Sequence, residues 1–158
     1  MEQLVEFNIA EIAKKKGFNY STIYAWYHTP KHRIKYEKFG EICLRTNGNP
    51  FGDYFEGQNW NQYKKHTKII CSAPTQSLLQ KWLREIHNIE VDVMRYTYSG
   101  GEYQGKCYMW VIDKYDSNYN PETEDPWILE TRQSQGYDFK VYEEALEFGL
   151  QEGLKLIK

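Results

Sequence analysis

A chain of 158 residues with 41% apolar residues, 16% aromatic residues and a formal charge of −2 fits one ordinary domain with a real core, or two very small ones. No apolar run approaches the length of a membrane span, and the opening MEQLVEF lacks the basic, greasy pattern of a signal peptide, so neither insertion nor secretion is expected. Cys43, Cys71 and Cys107 are odd in number and far apart, with no C-x-x-C pair. That usage argues against a disulfide frame and for reduced thiols in a cytoplasmic protein.

Taken in chain order, the first predicted element is a helix from Ile9 to Lys16, with Asn8 as its cap and Ile9, Ile12 and Ala13 turned inward. Gly17 stops it, and Phe18 packs back after the glycine. YSTIYAWY follows, rich in β-branched and aromatic residues, then the turn signal HTPKH and the segment RIKYEKFGEICLR, whose apolar positions Ile34 and Tyr36 alternate, with Phe39 as a further candidate. From Thr46 to Lys68 the chain is dense in Asn, Gly and aromatics and reads as an irregular connection.

SAPTQSLLQKWLREIHN, Ser72 to Asn88, is the most informative stretch. Leu78, Leu79, Trp82, Leu83 and Ile86 recur at helical spacing and predict one apolar stripe. Ser72 or Thr75 caps its first turn, where Pro74 is tolerated, and Asn88 supplies a left-handed stop. An alternating strand begins at once: Ile89, Val91 and Val93 against Glu90 and Asp92, extended by Tyr96 and Tyr98 toward the turn Ser99-Gly100-Gly101. Cys107 to Ile112 is the return strand of that hairpin, and WILET, after a polar loop, is a short third strand. The last helix, Val141 to Ile157, aligns Ala145, Leu146, Gly149, Leu150, Gly153, Leu154 and Ile157. Its two glycines lower helix propensity and predict close approach to a neighbour. Glu143, Glu144, Glu147 and Glu152 form its expected wet face.

The expected class is therefore α+β, with helices packed on an antiparallel sheet, an order that two α-β-β units plus a C-terminal helix satisfies. Residues 1–45 form the N-terminal α-β-β unit, or a helix-turn-helix; 46–71 are the irregular linker; 72–158 are an α-β-β-(β)-α unit. All of it is expected to fold as one compact domain. Charge is unevenly spread along the chain. Residues 1–88 carry 13 Lys and Arg against 8 Asp and Glu, net +5, and residues 89–158 carry 7 against 14, net −7. A basic front half permits an acidic partner, duplex DNA included, and suits a solvated lysine face equally well.

Three strings, LVEFNIAEIAKKKGFN, SAPTQSLLQKWLREIHNI and YEEALEFGLQEGLKLI, resemble a family of small phage and mobile-element proteins of gut bacteria whose role is uncharacterised. They cover roughly a third of the chain, in its helical or helix-flanking parts. The resemblance implies a phage or mobile-element origin and a cytoplasmic setting in the bacterial host. It implies no activity and no site residues.

A second, more local resemblance is to Cro-like helix-turn-helix domains. In IAEIAKKKGFNYSTIYAWY, Ala13, Gly17, Phe18, Ile23 and Trp26 fall where that motif needs a small residue, a turn glycine and buried apolar positions. It implies a recognition helix led by Asn19, Tyr20, Ser21, Thr22, Tyr24 and Lys31. YSTIYAWY by its composition prefers strand, and a short apolar run cannot decide between the two.

Reactive constellations are sparse. His28 and His32 stand four apart, but Pro30 spoils the helix that would align them, and with His66 and His87 no paired-ligand spacing arises. Asp116, Asn118 and Asn120 begin like a calcium loop, yet Pro121 replaces the required glycine and Trp127 the closing carboxylate. There is no phosphate-cradling glycine loop, nucleophile elbow or dinucleotide fingerprint. The expectation is thus a protein that is not an enzyme and holds no metal or cofactor. It would act by binding a host or phage protein, through the loop aromatics Phe51, Tyr54, Phe55, Trp60 and Tyr63. The competing structural role for those aromatics is a satellite core beneath the linker. The alternative function is a DNA-binding transcriptional regulator using the helix-turn-helix.

Overall fold

In the computed structural model, residues 2–28, 42–46, 60–62, 69–98, 105–116, 128–134 and 139–158 are described. They form three helices and two three-stranded antiparallel sheets, an α+β architecture, divided between two compact units. One unit is Leu4–Thr75. The other is Gln76–Lys158 together with Met1–Gln3.

The Leu4–Thr75 unit opens with α1, Phe7–Lys15, which buries Ile9, Ala10 and Ala13 while Ile12 is half-buried. Asn8 lies inside the first turn, where its side chain accepts a hydrogen bond from Ile9 N at 2.9 Å; Glu6 occupies the cap position. The helix ends as its sequence predicts. Gly17 adopts φ +91, Phe18 N donates to Ala13 O at 2.9 Å, and Gly17 N donates to Lys14 O at 3.1 Å. This double closure turns Phe18 inward to full burial.

The strands of this unit are β1, Tyr24–His28, β2, Ile42–Thr46, and β3, Ile69–Ala73, in the order β2-β1-β3. Residues 20–27 are therefore not a recognition helix. Asn19 to Ser21 are irregular, and the β-branched and aromatic run from Tyr24 onward takes the pleated geometry that suits it. β3 lies where the sequence predicts the end of an irregular linker and the cap of the next helix. Ser72 is not a cap but a buried strand residue, paired with Ala25. The physical reason is Pro74, which pushes the residue before it into extended backbone and leaves Ile69–Ala73 free to pair. Side chains occupy the outer edge of β3: Lys14 Nζ donates to Ile70 O, and Ser72 N donates to Asn61 Oδ1 at 2.9 Å. Asn61 in turn donates to Phe18 O at 2.7 Å, from the single 3-10 turn Trp60–Gln62. An edge strand covered in this way offers fewer open backbone groups to another chain.

In the second unit α2, Gln76–His87, leads directly into β4, Ile89–Tyr98, through Asn88 at φ 53. β4 pairs along its length with β5, Gly105–Tyr115, from Ile89 opposite Lys114 to Tyr98 opposite Gly105. β6, Ile128–Gln133, adds the third strand on the far side of β5. The last helix α3, Tyr142–Lys155, lies against β4 and β5 and beside α2. Its glycines are the contact points. A Cβ on Gly149 would stand 2.8 Å from Val91 Cγ1, and one on Gly153 would stand 3.2 Å from Val91 Cγ2. Leu79, Trp82, Leu83, Ile89, Val91, Ile112, Leu150 and Leu154 fill the space between helices and sheet.

Two expectations about these helices need correction. Ile86 is not in the buried stripe but 55% exposed. Gln76 bonds to Glu143 and Glu147, and Leu83 lies level with Gly153, so α2 and α3 run in the same direction. Ile86, a turn beyond Leu83, projects past the end of α3. Glu147 is not on the wet face either. It is buried on the flank that α2 covers, where its Oε2 accepts a hydrogen bond from Gln76 Nε2 at 2.6 Å.

The two units are not copies of one motif. The first strand is central in the β2-β1-β3 sheet and at the edge in the β4-β5-β6 sheet. Among the described residues no helix is long and apolar enough to cross a membrane.

Candidate functional site

Of the aromatics expected to form a contact surface, Phe51, Tyr54, Phe55 and Tyr63 lie outside the described residues, and Trp60 begins the turn Trp60–Gln62. The described positions proposed to read DNA differ in exposure. Asn19 and Ser21 are exposed and Tyr20 and Tyr24 half-buried; Lys31 lies outside the described residues. Thr22 is buried, and its hydroxyl donates to Tyr24 O at 2.8 Å, so it is committed to its own backbone.

The Cys71 thiol in β3 lies well above its ordinary range. Burial pushes it up to about 12, Lys14 nearby partly opposes this, and Glu11 adds to it. A thiol held protonated in this way is a packing residue and not a nucleophile at neutral pH. Among the described residues no three His, Cys, Asp or Glu side chains gather as metal ligands.

The face of the β4-β5-β6 sheet away from α3 carries Glu90 directly opposite Asp113, with Asp92 next along the same face. Like charges paired across a sheet are unfavourable unless partnered. Here Arg84 meets Glu90 at 3.1 Å and Thr131 donates to Asp113 at 2.7 Å. Tyr115 on this face is raised above its ordinary value, first by partial burial and then by Asp113, Glu90 and Asp92. The same face continues through Met94, Tyr96, Cys107 and Met109, where Tyr96 Oη donates to the Met94 sulfur at 3.5 Å. It is a solvated acidic strip beside an apolar one, with Glu90 and Asp113 already held.

The strongest constellation surrounds the start of α3. Phe139 is bridged to β5 through the hydrogen bond from Tyr108 N to Phe139 O, at 2.9 Å. Its ring lies 5.1 Å from that of Phe148, and the Tyr108 ring stands edge-on to Tyr142 at 6.0 Å. Both separations fall in the range of favourable ring pairs. Yet the group is only partly covered: Phe148 is 53% exposed, Val141 43% and Tyr142 41%. The exposed aromatic surface is therefore preordered, held by a helix, a strand and a backbone bridge. The signal available in sequence was Phe148 itself, a large apolar residue that helical spacing places off the buried stripe of α3.

Comparison with protein-family models, with curated proteins and with solved structures finds no match to this chain.

Proposed function

We propose that this chain is a non-catalytic protein-binding module, an accessory protein of phage or mobile-element origin that works in the cytoplasm of a bacterial host. The single observation behind the binding role is the ordered, exposed aromatic surface of Phe148, Phe139, Tyr142 and Tyr108. Rigid aromatics give large contact area at low entropic cost, which makes them the usual anchors of protein interfaces. The origin rests on the resemblance carried by the three helical strings. The alternative, a DNA-binding regulator, keeps the net positive charge of the Leu4–Thr75 unit in its favour but lacks a helix over residues 19–28.

The test compares tagged wild-type protein with Phe148→Ser in pull-downs from nuclease-treated bacterial lysate. A stoichiometric protein partner lost in the variant, at an unchanged melting temperature, is the expected result. Recovery only of nucleic acid from untreated lysate, released by salt and indifferent to Phe148, would replace this reading with DNA binding.

A further inference from the structure

We infer that two copies of this chain join through the outer edge of β4, antiparallel about a two-fold axis at Met94, so that their β4-β5-β6 sheets run on as one. The direction of the backbone groups carries this. Trp110 O accepts a hydrogen bond from Ser134 N, and Tyr108 N donates to Phe139 O, so both residues turn their backbone polar groups away from β4. Val93 lies opposite Trp110 and Arg95 opposite Tyr108. Residues paired in this way across an antiparallel ladder both point away from each other, so Val93 and Arg95 direct N–H and C=O to the outer edge of β4. Among the described residues no hydrogen-bond partner meets those groups, and Arg95 is exposed. An open strand edge of this kind is a template for another strand.

The occupant follows from the register. With the axis at Met94, Val93 faces Arg95 of the second copy and Arg95 faces its Val93, and each pair exchanges two hydrogen bonds. Met94, 45% exposed, then meets its own counterpart, and Asp92 meets Tyr96, so no like charges stand opposite each other. Neighbouring registers fail. An axis at Arg95 opposes the two guanidinium groups. One at Val93 needs Val91, which is fully buried and whose carbonyl already accepts from Gln80 Nε2. One at Tyr96 carries Val93 past Tyr98, where the strand ends. The opposite edge of the sheet is protected. Pairing the outward residues of β6, Thr131 and Gln133, with those of a second copy would set Arg132 against Arg132. Moving that axis to Thr131 would draw in Leu129, the extra residue where the ladder with β5 shifts. The β4 contact is short, below the ~1,200 Å² at which stable interfaces begin, so the dimer is weak, with a dissociation constant on the order of 100 μM.

Sedimentation of the full chain over a dilution series spanning that constant tests this, and a monomer–dimer equilibrium is the expected result. Amide exchange at Val93 and Arg95 should slow as concentration rises, while exchange at Met94, whose N–H faces β5, stays the same. M94K and M94E each place like charges across the axis and should each weaken the dimer by about fivefold or more. Mixing the two variants in equal amounts should restore it, which also shows that both are folded. A chain that stays monomeric throughout the series overturns the inference. So does self-association that neither Met94 variant weakens, or that Phe148→Ser abolishes, since the copies would then meet elsewhere. Failure of the mixed variants to recover would remove the axis from Met94 and overturn it as well.

Discussion

Replacing Gly149 by alanine should destabilise the second unit although alanine is the better helix former. The added Cβ would lie 2.8 Å from Val91 Cγ1 and 3.0 Å from Trp110 Cβ. Neither atom yields cheaply, because Val91 is fully buried and stiff at χ1, and Trp110 Cβ is bonded directly to the β5 backbone. Overpacking of this kind costs about 1–3 kcal/mol, and the gain in helix propensity returns about 1 kcal/mol. The expected net loss is about 1 kcal/mol, which corresponds to ~4–8 °C in melting temperature for a unit of this size. Gly153→Ala is the internal control. Its Cβ would meet Val91 Cγ2 at 3.2 Å and Leu83 Cδ1 at 3.3 Å, a milder crowding in which the Leu83 methyl can shift although Val91 cannot. There the propensity gain should prevail, leaving that variant neutral or up to about 1 kcal/mol more stable. Denaturant titration, with amide exchange in β4 and β5 to keep the readout in this unit, measures the difference. Val91→Ala removes the obstructing methyl, so a double-mutant cycle with Gly149→Ala should show about 1 kcal/mol of favourable coupling. A Gly149→Ala protein as stable as Gly153→Ala, or a cycle without coupling, would refute close packing as the reason for this glycine.

Three further outcomes follow from named atoms. Because Cys71 is raised from 9.0 to about 12 on folding, its contribution is fully present below pH 9 and is lost as pH climbs from there toward 12. At ~1.36 kcal/mol per unit, wild type should lose about 2 kcal/mol more than Cys71→Ala between pH 9 and 11, measured by denaturation at each pH. Gln76→Ala removes the hydrogen bonds to Glu143 O and to Glu147 Oε2, and should cost about 1–3 kcal/mol. An unchanged unfolding midpoint would show that this buried link contributes nothing. Gly17→Ala meets nothing within 4 Å but must hold φ +91. Backbone strain alone should therefore cost about 1–2 kcal/mol, read as faster amide exchange at Gly17 and Phe18.

The fold was legible where local signals and tertiary packing agree. Gly17 and Asn88 mark real left-handed turns, and the alternation from Ile89 onward became a long paired strand because one face meets α3. Reading failed where a neighbour decided the outcome. Ser72 has the chemistry of a helix cap, yet Pro74 and pairing with Ala25 keep it in β3. Glu147 has the charge of a surface residue, but α2 covers its flank and Gln76 supplies a partner. Ile86 sits at stripe spacing, and only the parallel course of α2 and α3 leaves it beyond their overlap. Periodicity gives the angle of a residue on its own helix and says nothing of how far the neighbouring helix extends.

The same asymmetry explains why the candidate surface was found on α3 and not in the aromatic-rich linker. An aromatic in an irregular segment can serve as anchor or as local core, and its sequence neighbours do not separate the two. On a helix the alternatives separate by geometry, since Ala145, Leu146, Gly149, Leu150, Gly153 and Leu154 fix the buried direction. Phe148 then falls on the outer side, and burying it would require rotating those six residues out of the core. Full exposure is also prevented, because the Tyr108–Phe139 bridge holds a second ring against it. The outcome is an apolar side chain that folding orders but does not cover, which leaves part of its hydrophobic free energy available to binding. For that reason Phe148→Ser should reduce binding far more than it reduces stability. The opposite ratio would mark the cluster as an incompletely covered piece of core.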